Sequence, residues 1–504
     1  MRQRNETALP LQELRENENR ARLQRYQAAW AAYTGDPIEY DSGNQVVEAV
    51  DALTEGDSVI VPYEQLVVNK SRSFLFGHGI DFEIEEEQDT GSEQSDEGEG
   101  ESEAQKYLDR VWRYNRKKTL LLKASTNGGV FGHVFIKLQP SRDDEDIPRL
   151  IVMDTMNLSV EWDDQDIEAV TSYINTWNTF DADGKPIVRR EVVKEVAVGS
   201  WTVQQFQADM VGGDGPGPDA FTAIGPALPW PHDWPPIIDC QNTPIPNEFY
   251  GWSDIEQSTR RVNRAIDRLM SDMNRIVRLW GHPTLVIEGG NSALIREMIK
   301  AGEITFATDS VQVLPGDPAS GGAKLNVVKP EADLTASIEL YKKLREVFHE
   351  ITRTPEVATG KTDQVGAISG VALQILYGPL MEATEDKRCT YGDMLEELNR
   401  RILDYGGFGE DVQVHNVWSD PLPQDEQAES ASLMADHQIG ASKKTLLQKR
   451  GYDPDKEAAN RMEEAEEALE IQQRMIDSGV SAFGQTDQSP QQERNEDEEE
   501  EGDE

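Results

Sequence analysis

Three consecutive residues, Gly360, Lys361 and Thr362, have the types and order that end a phosphate-binding loop. In such a loop an earlier glycine, five positions before Gly360, lets the backbone amides wrap a phosphate, and a β-strand leads into it. That position is occupied by Pro355, and no strand pattern precedes it. The spacing therefore favours an exposed, flexible loop with one lysine. It leaves a nucleotide-binding enzyme as the less favoured alternative.

The other spacings that could support catalysis or metal binding are incomplete. His349 lacks the second histidine of a zinc protease motif, and Ser369 stands one place away from a nucleophile elbow. Two cysteines, Cys240 and Cys389, form no metal pair and indicate a reducing compartment. The glycine-rich segment 127–133 leads into a strand, so we expect a tight turn there and no nucleotide loop. The sequence thus predicts no enzyme, no cofactor and no metal site.

The charge of the chain is strongly negative and unevenly distributed. Its 504 residues include 94 acidic and 49 basic residues, for a formal net charge of −45. This balance opposes strong adhesion to nucleic acid, because that affinity comes mostly from Lys and Arg. Residues 81–103 contain 12 acids and no base, and residues 493–504 contain 9 acids and one arginine. We predict a mobile surface insertion at 81–103 and a disordered acidic tail at 481–504, since neither can bury enough apolar surface.

A basic stripe contrasts with this acidic background. Arg260, Arg264 and Arg268 recur every four residues within a strongly amphipathic helix predicted at 253–280, so they share one side of it. One interpretation is a set of ion pairs with acids of neighbouring helices or subunits, and the other is a surface that faces DNA. The pattern favours ion pairs, because a basic stripe alone is weak evidence of nucleic-acid contact.

The elements that would position these residues form an α+β chain. Helical spacing of apolar residues predicts a helix at 11–33, and strand-like runs, the first at 58–61, occupy about 60–250. No apolar run approaches the ~18 residues of a membrane span, so no membrane insertion is expected. The elements predicted after the helix at 253–280 are short strands within 284–330, a helix at 330–352, a kinked helix at 369–403, a strand at 412–418, and helical stretches at 424–438, 443–450 and 454–476.

This order of elements resembles that of the phage portal protein family, the head-to-tail connector of tailed double-stranded DNA phages, of the siphophage type. The stretches that carry the resemblance occur in the same order over about residues 20–475. The acidic insertion at 81–103 is the main departure from the family pattern. The matching stretches are Arg22–Gly35 (RLQRYQAAWAAYTG), Asn69–Gly77 (NKSRSFLFG), Gly129–Ile136, Asn242–Asn263 (NTPIPNEFYGWSDIEQSTRRVN), Ser369–Leu380 (SGVALQILYGPL) and Ile439–Leu447 (IGASKKTLL).

The resemblance implies a portal architecture whose copies assemble as a ring. It also implies that Lys361, with Thr362 and Gln364 as polar neighbours, faces DNA from a channel loop. The implied parts are a wing at 1–250 and 369–423, stem helices at 251–280 and 331–353, a small β-rich clip at 281–330, a channel loop at 354–368, and a helical crown at 424–480.

The resemblance further implies a function without a catalytic site. Portal proteins form a ring, here expected to be a 12-mer, at one capsid vertex. Through this ring a separate terminase motor packages DNA, and the DNA later exits to the tail. The implied partners are the terminase large subunit, the major capsid and scaffold proteins, a head-completion adaptor, and double-stranded DNA that passes non-specifically. The implied location is the virion, with host cytoplasm during assembly, and the competing structural interpretation is another phage head or connector protein.

Overall fold

The computed structural model divides into two compact units, Met1–Leu422 and Pro423–Glu504. The larger unit mixes helices and sheets, and the described part of the smaller unit is helical. The predicted α+β class is therefore confirmed at the level of a mixed helix and sheet fold. The structure describes residues 11–35, 38–40, 46–48, 58–85, 102–142, 146–210, 216–217, 220–281, 284–288, 297, 300, 324–328, 334–356, 370–409, 412–422, 426–450, 452, 454, 456–462 and 469.

The main helices predicted from periodicity are confirmed, with shifted ends. The helix predicted from Ser253 begins later, at Gln257, because Ser253 and Glu256 form a turn ahead of it in which the Ser253 amide donates to Glu256 Oε1 at 3.1 Å. The helices within the described residues are α1 (Leu11–Thr34), α2 (Tyr63–Arg72), α3 (Glu103–Tyr114), α4 (Lys117–Phe131), α5 (Gln257–Gly281), α6 (Thr335–Ile351), α7 (Gly370–Tyr405), α8 (Glu426–Ile439) and α9 (Lys443–Lys449).

The strands pair antiparallel in five sheets of the described chain. The largest sheet has the order β10-β9-β8-β7-β6 with β11 also on β9, a second has the order β12-β4-β5, and the pairs β1-β2, β13-β14 and β3-β15 stand apart. The strands are β1 (Ile38–Tyr40), β2 (Val46–Glu48), β3 (Ile80–Ile84), β4 (His133–Pro140), β5 (Pro148–Val152), β6 (Leu158–Trp162), β7 (Val170–Phe180), β8 (Pro186–Ala197), β9 (Ser200–Asp209), β10 (Thr222–Ala223), β11 (Leu228–Pro229), β12 (Ile237–Gln241), β13 (Thr284–Glu288), β14 (Lys324–Val328) and β15 (Val414–Trp418).

Strand β4 holds the two main apolar clusters of the larger unit together. Its even-numbered residues Val134, Ile136 and Leu138 pack in a cluster with α3, α4 and α7. Phe135, which points to the opposite face because side chains alternate along a strand, packs in a second cluster with the large sheet. A central strand buried on both faces therefore fixes the helices against the sheet.

Glycines at the end of α4 let other segments approach its backbone. The predicted tight turn at 127–133 is wrong in part, because residues up to Phe131 continue α4 and only Gly132, with a φ of 85°, ends it. A Cβ at Gly128 would collide with the hydroxyl of Tyr391 on α7, and one at Gly132 would collide with the carbonyl oxygen of Gly251. Both glycines are needed for close approach, and no phosphate loop is involved.

A buried ion pair joins α7 to three other segments. Lys387 Nζ lies 2.6 and 2.7 Å from the two carboxylate oxygens of Asp254, and it donates to Ser71 Oγ on α2 at 2.5 Å. Asn242 Nδ2 donates to the same carboxylate at 2.8 Å, and the Asp254 amide donates to the carbonyl oxygen of Gly129 on α4 at 2.8 Å. Only 6% of the Lys387 side chain and 10% of the Asp254 side chain are exposed. The pair therefore ties α2, α4 and α7 to the segment that leads into α5.

The acidic insertion predicted at 81–103 is wrong at both ends. Its first residues belong to β3, whose alternating pattern exposes the acids while Phe82 is buried and stacks on Trp112 with ring centroids 4.9 Å apart. Its end is also ordered, because Ser102 caps the N-terminus of α3. The number of acidic residues did not indicate this strand, because the alternation of side chains along a strand, and not its charge, decides which face is buried. Residues 86–101 lie outside the described residues.

The smaller unit contains α8 and α9, and the Ser442 hydroxyl caps α9 by accepting from the Thr445 amide at 3.1 Å. Further helical residues lie at 456–462. The predicted tail at 481–504 is outside the described residues and stays a prediction. Across the described helices, none is long and apolar enough to cross a membrane.

We predict that Lys387→Met destabilises the larger unit by about 3–5 kcal/mol, because it leaves the Asp254 carboxylate buried without its cation. Urea unfolding followed by tryptophan fluorescence measures this change. Adding Asp254→Asn should recover part of the loss, since no uncompensated charge then remains. As a control, Lys342→Met removes an exposed ion pair with Glu339 and should cost under about 1 kcal/mol. An equal effect of Lys387→Met and Lys342→Met would contradict the role of the buried pair.

Candidate functional site

The residues expected to face DNA, Lys361, Thr362 and Gln364, lie in the segment 357–369, outside the described residues. The described chain approaches this segment after α6 and leaves it at the start of α7. The segment therefore connects two long helices, as the loop prediction requires. The contact of these three side chains with DNA stays a prediction.

The chain that leads into this segment is anchored on α6. His349 Nδ1 donates to the carbonyl oxygen of Thr354 at 2.7 Å, and both residues are buried. Glu356, two residues after Thr354, forms an ion pair with Arg345 of α6. These contacts hold the start of the connection against α6, so its first residues have a defined position.

A cavity of about 820 Å³ lies beside this anchor. Basic and acidic groups alternate around it, and several already pair with each other or with neighbours, as Arg353 does with Asp386 at 3.2 Å. Its described lining residues therefore concentrate no single sign of charge and place no nucleophile beside a base. Its lining residues are Lys342, Arg345, Glu346, His349, Glu350, Arg353, Pro355, Glu356 and Pro379.

The three arginines of the basic stripe do not share one exposed face. Arg260 is buried, Arg264 is half-buried and Arg268 is exposed. Burial lowers the pKa of Arg260, and the nearby Glu256 carboxylate opposes that effect. The ion-pair interpretation stays a prediction, because the buried Nε of Arg260 has no hydrogen-bond partner among the described residues. The DNA-facing interpretation stays a prediction for the stripe, for which only Arg268 is exposed in the single chain.

Opposite Arg260, α2 presents a buried acid to α5. Glu64 is 3% exposed, and Asn263 Nδ2 donates to its Oε2 at 2.5 Å. Burial raises the pKa of Glu64 to about 8, and the nearby Asp267 carboxylate adds to that rise. The backbone amide of Glu64 and the guanidinium groups of Arg260 and Arg264 oppose it. Near neutral pH the group is therefore mostly protonated in the folded protein.

The segment 58–61 lies along α5 before α2 begins. The prediction that it is a strand is wrong, because its backbone pairs with helix side chains. The Val59 amide donates to Ser271 Oγ at 2.9 Å, and the Val61 amide donates to Asp267 Oδ1 at 2.9 Å. The partners of this segment are therefore helix side chains and not another strand.

Apolar contacts complete this junction between α2, α5 and α6. Val67, Ile266 and Phe348, one from each helix, are buried against one another. The hydroxyls of Tyr63 and Tyr341 lie 3.0 Å apart and join α2 to α6. Helix α2 therefore holds both long helices at one end.

Sequence reasoning missed Glu64 and Lys387 as structural groups. A signal for Glu64 existed, because it precedes Val67 and Val68 by three and four residues and so lies on the apolar face of α2. For Lys387 the sequence offers no comparable signal, since its partner Asp254 is far away along the chain. Among the described residues no cluster of three or more His, Cys, Asp or Glu could hold a metal ion.

We predict that Glu64→Gln weakens the pH dependence of stability. The folded pKa of about 8 lies above the usual value of 4.5, so the folded protein binds more protons than the unfolded chain between these values. The stability provided by protonated Glu64 therefore falls as pH rises through this window, by about 1.4 kcal/mol per pH unit at most. Gln cannot titrate and keeps an acceptor for Asn263.

Urea unfolding at intervals between about pH 5 and pH 8 measures this difference. The wild type should lose more stability over that range than Glu64→Gln. Glu339→Gln, at an exposed position on α6, should behave like the wild type. Parallel curves for Glu64→Gln and the wild type would contradict the buried, protonated acid.

Comparison with known proteins extends over both long helices and the segment between α6 and α7. Residues 14–474 match the family described as "Phage portal protein, SPP1 Gp6-like". No curated protein matches the sequence. Similar solved structures include the neck of an empty GTA particle computed with C6 symmetry (TM-score 0.42) and that of a native GTA particle computed with C12 symmetry (TM-score 0.41). Each is 12% identical and covers 78% of this chain and 89% of its own. Because the family match covers nearly the whole chain, the protein belongs to the phage portal protein family.

Proposed function

We propose that twelve copies of this chain form a ring at one capsid vertex and that double-stranded DNA passes through its channel. The observation that carries the proposal is the family match over residues 14–474. Within that range α5 and α6 pack together, and the antiparallel pair β13-β14 lies between them in sequence. Two packed helices with an antiparallel strand pair between them in sequence suit a channel-lining stem with a clip.

Exposed apolar residues on the two long helices support an oligomer. Val277 on α5 is 52% exposed and Leu340 on α6 is 51% exposed, and Ile338 is also exposed. Apolar surface of this kind on both helices of a pair is suited to burial against neighbouring copies. A contact that repeats head to tail around an axis closes into a ring.

The parts of the proposed ring follow the order of the chain. Folded contacts join the residues on both sides of the stem, because β15 pairs with β3 and α7 packs in the same core as α3. This supports a wing made of two separate stretches. The proposed parts are the wing at 1–250 and 369–423, the stem helices at 251–280 and 331–353, the clip at 281–330, the channel loop at 354–368 and the crown at 424–480.

The proposed mechanism is passage without chemistry on the part of this chain. The terminase large subunit would supply the motor, the clip would meet it and later the head-completion adaptor, and major capsid and scaffold proteins would surround the ring. A ring of twelve copies would carry twelve times the −45 net charge of one chain. Such a surface repels phosphate and lets DNA slide.

Within the channel we propose that Lys361 touches the DNA backbone, with Thr362 and Gln364 beside it. A phosphate contact of this kind carries no sequence information, which suits DNA of any sequence. One lysine per copy is screened at physiological salt, so each contact is weak. The anchor formed by Thr354 and Glu356 on α6 would hold the start of the loop while its tip meets the DNA.

We predict that the purified protein sediments and images as a ring of about twelve chains of 56.5 kDa. Mass photometry measures the particle mass. Leu340→Asp places a charge in the proposed subunit contact and should shift the mass towards a single chain. Val198→Asp, at a fully exposed turn between β8 and β9, is the matched control and should leave the ring intact. A monodisperse monomer of the wild type at micromolar concentration would count against the ring.

We predict that Lys361→Ala leaves folding and ring mass unchanged but alters packaging or retention of DNA. The reason is that the lysine would contribute only a weak, salt-sensitive phosphate contact. DNA protected from nuclease in assembled particles measures the effect. Lys443→Ala removes an exposed lysine from α9 and serves as the control. If Lys361→Ala particles package and retain DNA like the wild type, the proposed contact is wrong.

A further inference from the structure

A strongly basic surface occupies the corner between α3 and α4. The stretch Glu103–Lys123 contains seven Lys and Arg residues against two acids, within a chain of net charge −45. The charge of the whole chain conceals this local reversal. We call this surface the basic corner, and it consists of Arg110, Arg113, Arg116, Lys118 and Arg149.

All members of the basic corner are exposed. Their neighbours Lys106 and Lys117 have carboxylate partners, Glu103 at 3.0 Å and Asp81 at 2.8 Å. By contrast, none of the five members has an ion-pair partner within the described part of the chain. The N-terminus of α4 lies between Arg116 and Lys118, and its first turn contains no acidic residue, so the helix dipole adds to the positive potential.

The basic corner rests on a rigid support. Asn115 is buried between the two helices, and its side-chain amide donates to the carbonyl oxygens of Val111 at 3.0 Å and Pro148 at 2.9 Å. Its side-chain oxygen accepts from the Leu150 amide at 2.9 Å. These bonds lock the corner onto β5, from which Arg149 Nη1 reaches within 3.5 Å of Asn115 Oδ1. The five cations are therefore presented from fixed backbone positions.

The composition of the surface distinguishes a phosphate backbone from a protein partner. Among the described residues of α3 and α4, no large hydrophobic side chain is exposed, and on β5 Ile151, which is 37% exposed, is the one exposed large hydrophobic residue. Protein interfaces rely on apolar and aromatic anchors at their centre, whereas binding to nucleic acid needs only Lys and Arg near phosphates. Arginine is also well suited to phosphate because its planar fork donates two parallel hydrogen bonds.

We propose that the basic corner binds the phosphate backbone of double-stranded DNA, independently of sequence, as a contact surface separate from the loop at 354–368. The contact is weak at physiological salt, because the surrounding chain is acidic and eight carboxylates of residues 86–101 precede α3. Each phosphate contact makes binding steeper in salt, with a slope of about −0.9 in log K against log salt concentration.

Covalently closed circular DNA separates this surface from the channel, because a closed circle cannot thread a closed ring. The assay is the mobility shift of such a circle with the full-length protein at about 50 mM NaCl and upwards. The triple variant Arg113→Gln, Arg116→Gln and Lys118→Gln should bind roughly tenfold or more weakly, with a salt slope lower by about 2–3. Its particle mass and thermal midpoint should match the wild type, which shows that folding and assembly are intact.

Two further variants complete the test. The triple variant Lys443→Gln, Lys444→Gln and Arg450→Gln removes the same charge from exposed positions at α9 and should bind like the wild type. Arg113→Lys with Arg116→Lys keeps the charge and should retain the salt dependence.

Equal binding by the basic-corner triple variant and the wild type overturns the proposal. So does a loss of binding to polyglutamate with unchanged binding to circular DNA, because that result assigns the surface to an acidic protein. Failure of ring formation in the wild type bears on the proposed function alone.

Discussion

The buried contact between Lys387 and Asp254 is the constraint on which the larger unit depends. A lysine and an aspartate removed from water are tolerated only when each is paired and hydrogen-bonded, and here a serine and an asparagine complete the set. Because the partners come from α2, α7 and the segments beside α4 and α5, the pair forms only when all of them are correctly placed. It therefore specifies the arrangement of the helices as well as stabilising it.

Helix α2 also makes a second junction, of a different kind, with α5 and α6. Glu64, held mostly protonated by burial, and the apolar contacts of Val67 fasten the first half of α5 and the end of α6. The segment 58–61 adds hydrogen bonds to side chains of α5. One short helix thus connects the mixed helix and sheet body to both long helices, which is the connection that the proposed wing and stem need.

Long periodic helices could be predicted from the sequence, because apolar residues at three and four residue steps identify the buried face. The polar groups that the core requires could not be predicted from the sequence, because the partners in pairs such as Lys387 and Asp254 are far apart along the chain. The count of charged residues did not predict strand β3, where acids alternate with Phe82. It also did not reveal the basic corner, because the net charge of −45 conceals a local excess of bases. Arg260 is buried although it shares a stripe with the exposed Arg268, because spacing alone cannot say which side of a helix meets a neighbour. The proposed channel contact at Lys361 lies outside the described residues.

Helix α5 is buried along its first part and is more exposed along the part that follows. Among its residues up to Arg278, the last buried one is Ser271, and none of residues 272–278 is buried in the single chain. The ten residues that follow Ser271, up to Gly281, extend roughly 15 Å at 1.5 Å per residue. The helix is therefore held at its contact with α2. A rotation of α5 by about 10° at this contact would move its C-terminal end by nearly 3 Å over that length. Small repacking around Glu64 would therefore displace the C-terminal end of α5 by more than it displaces the contact with α2.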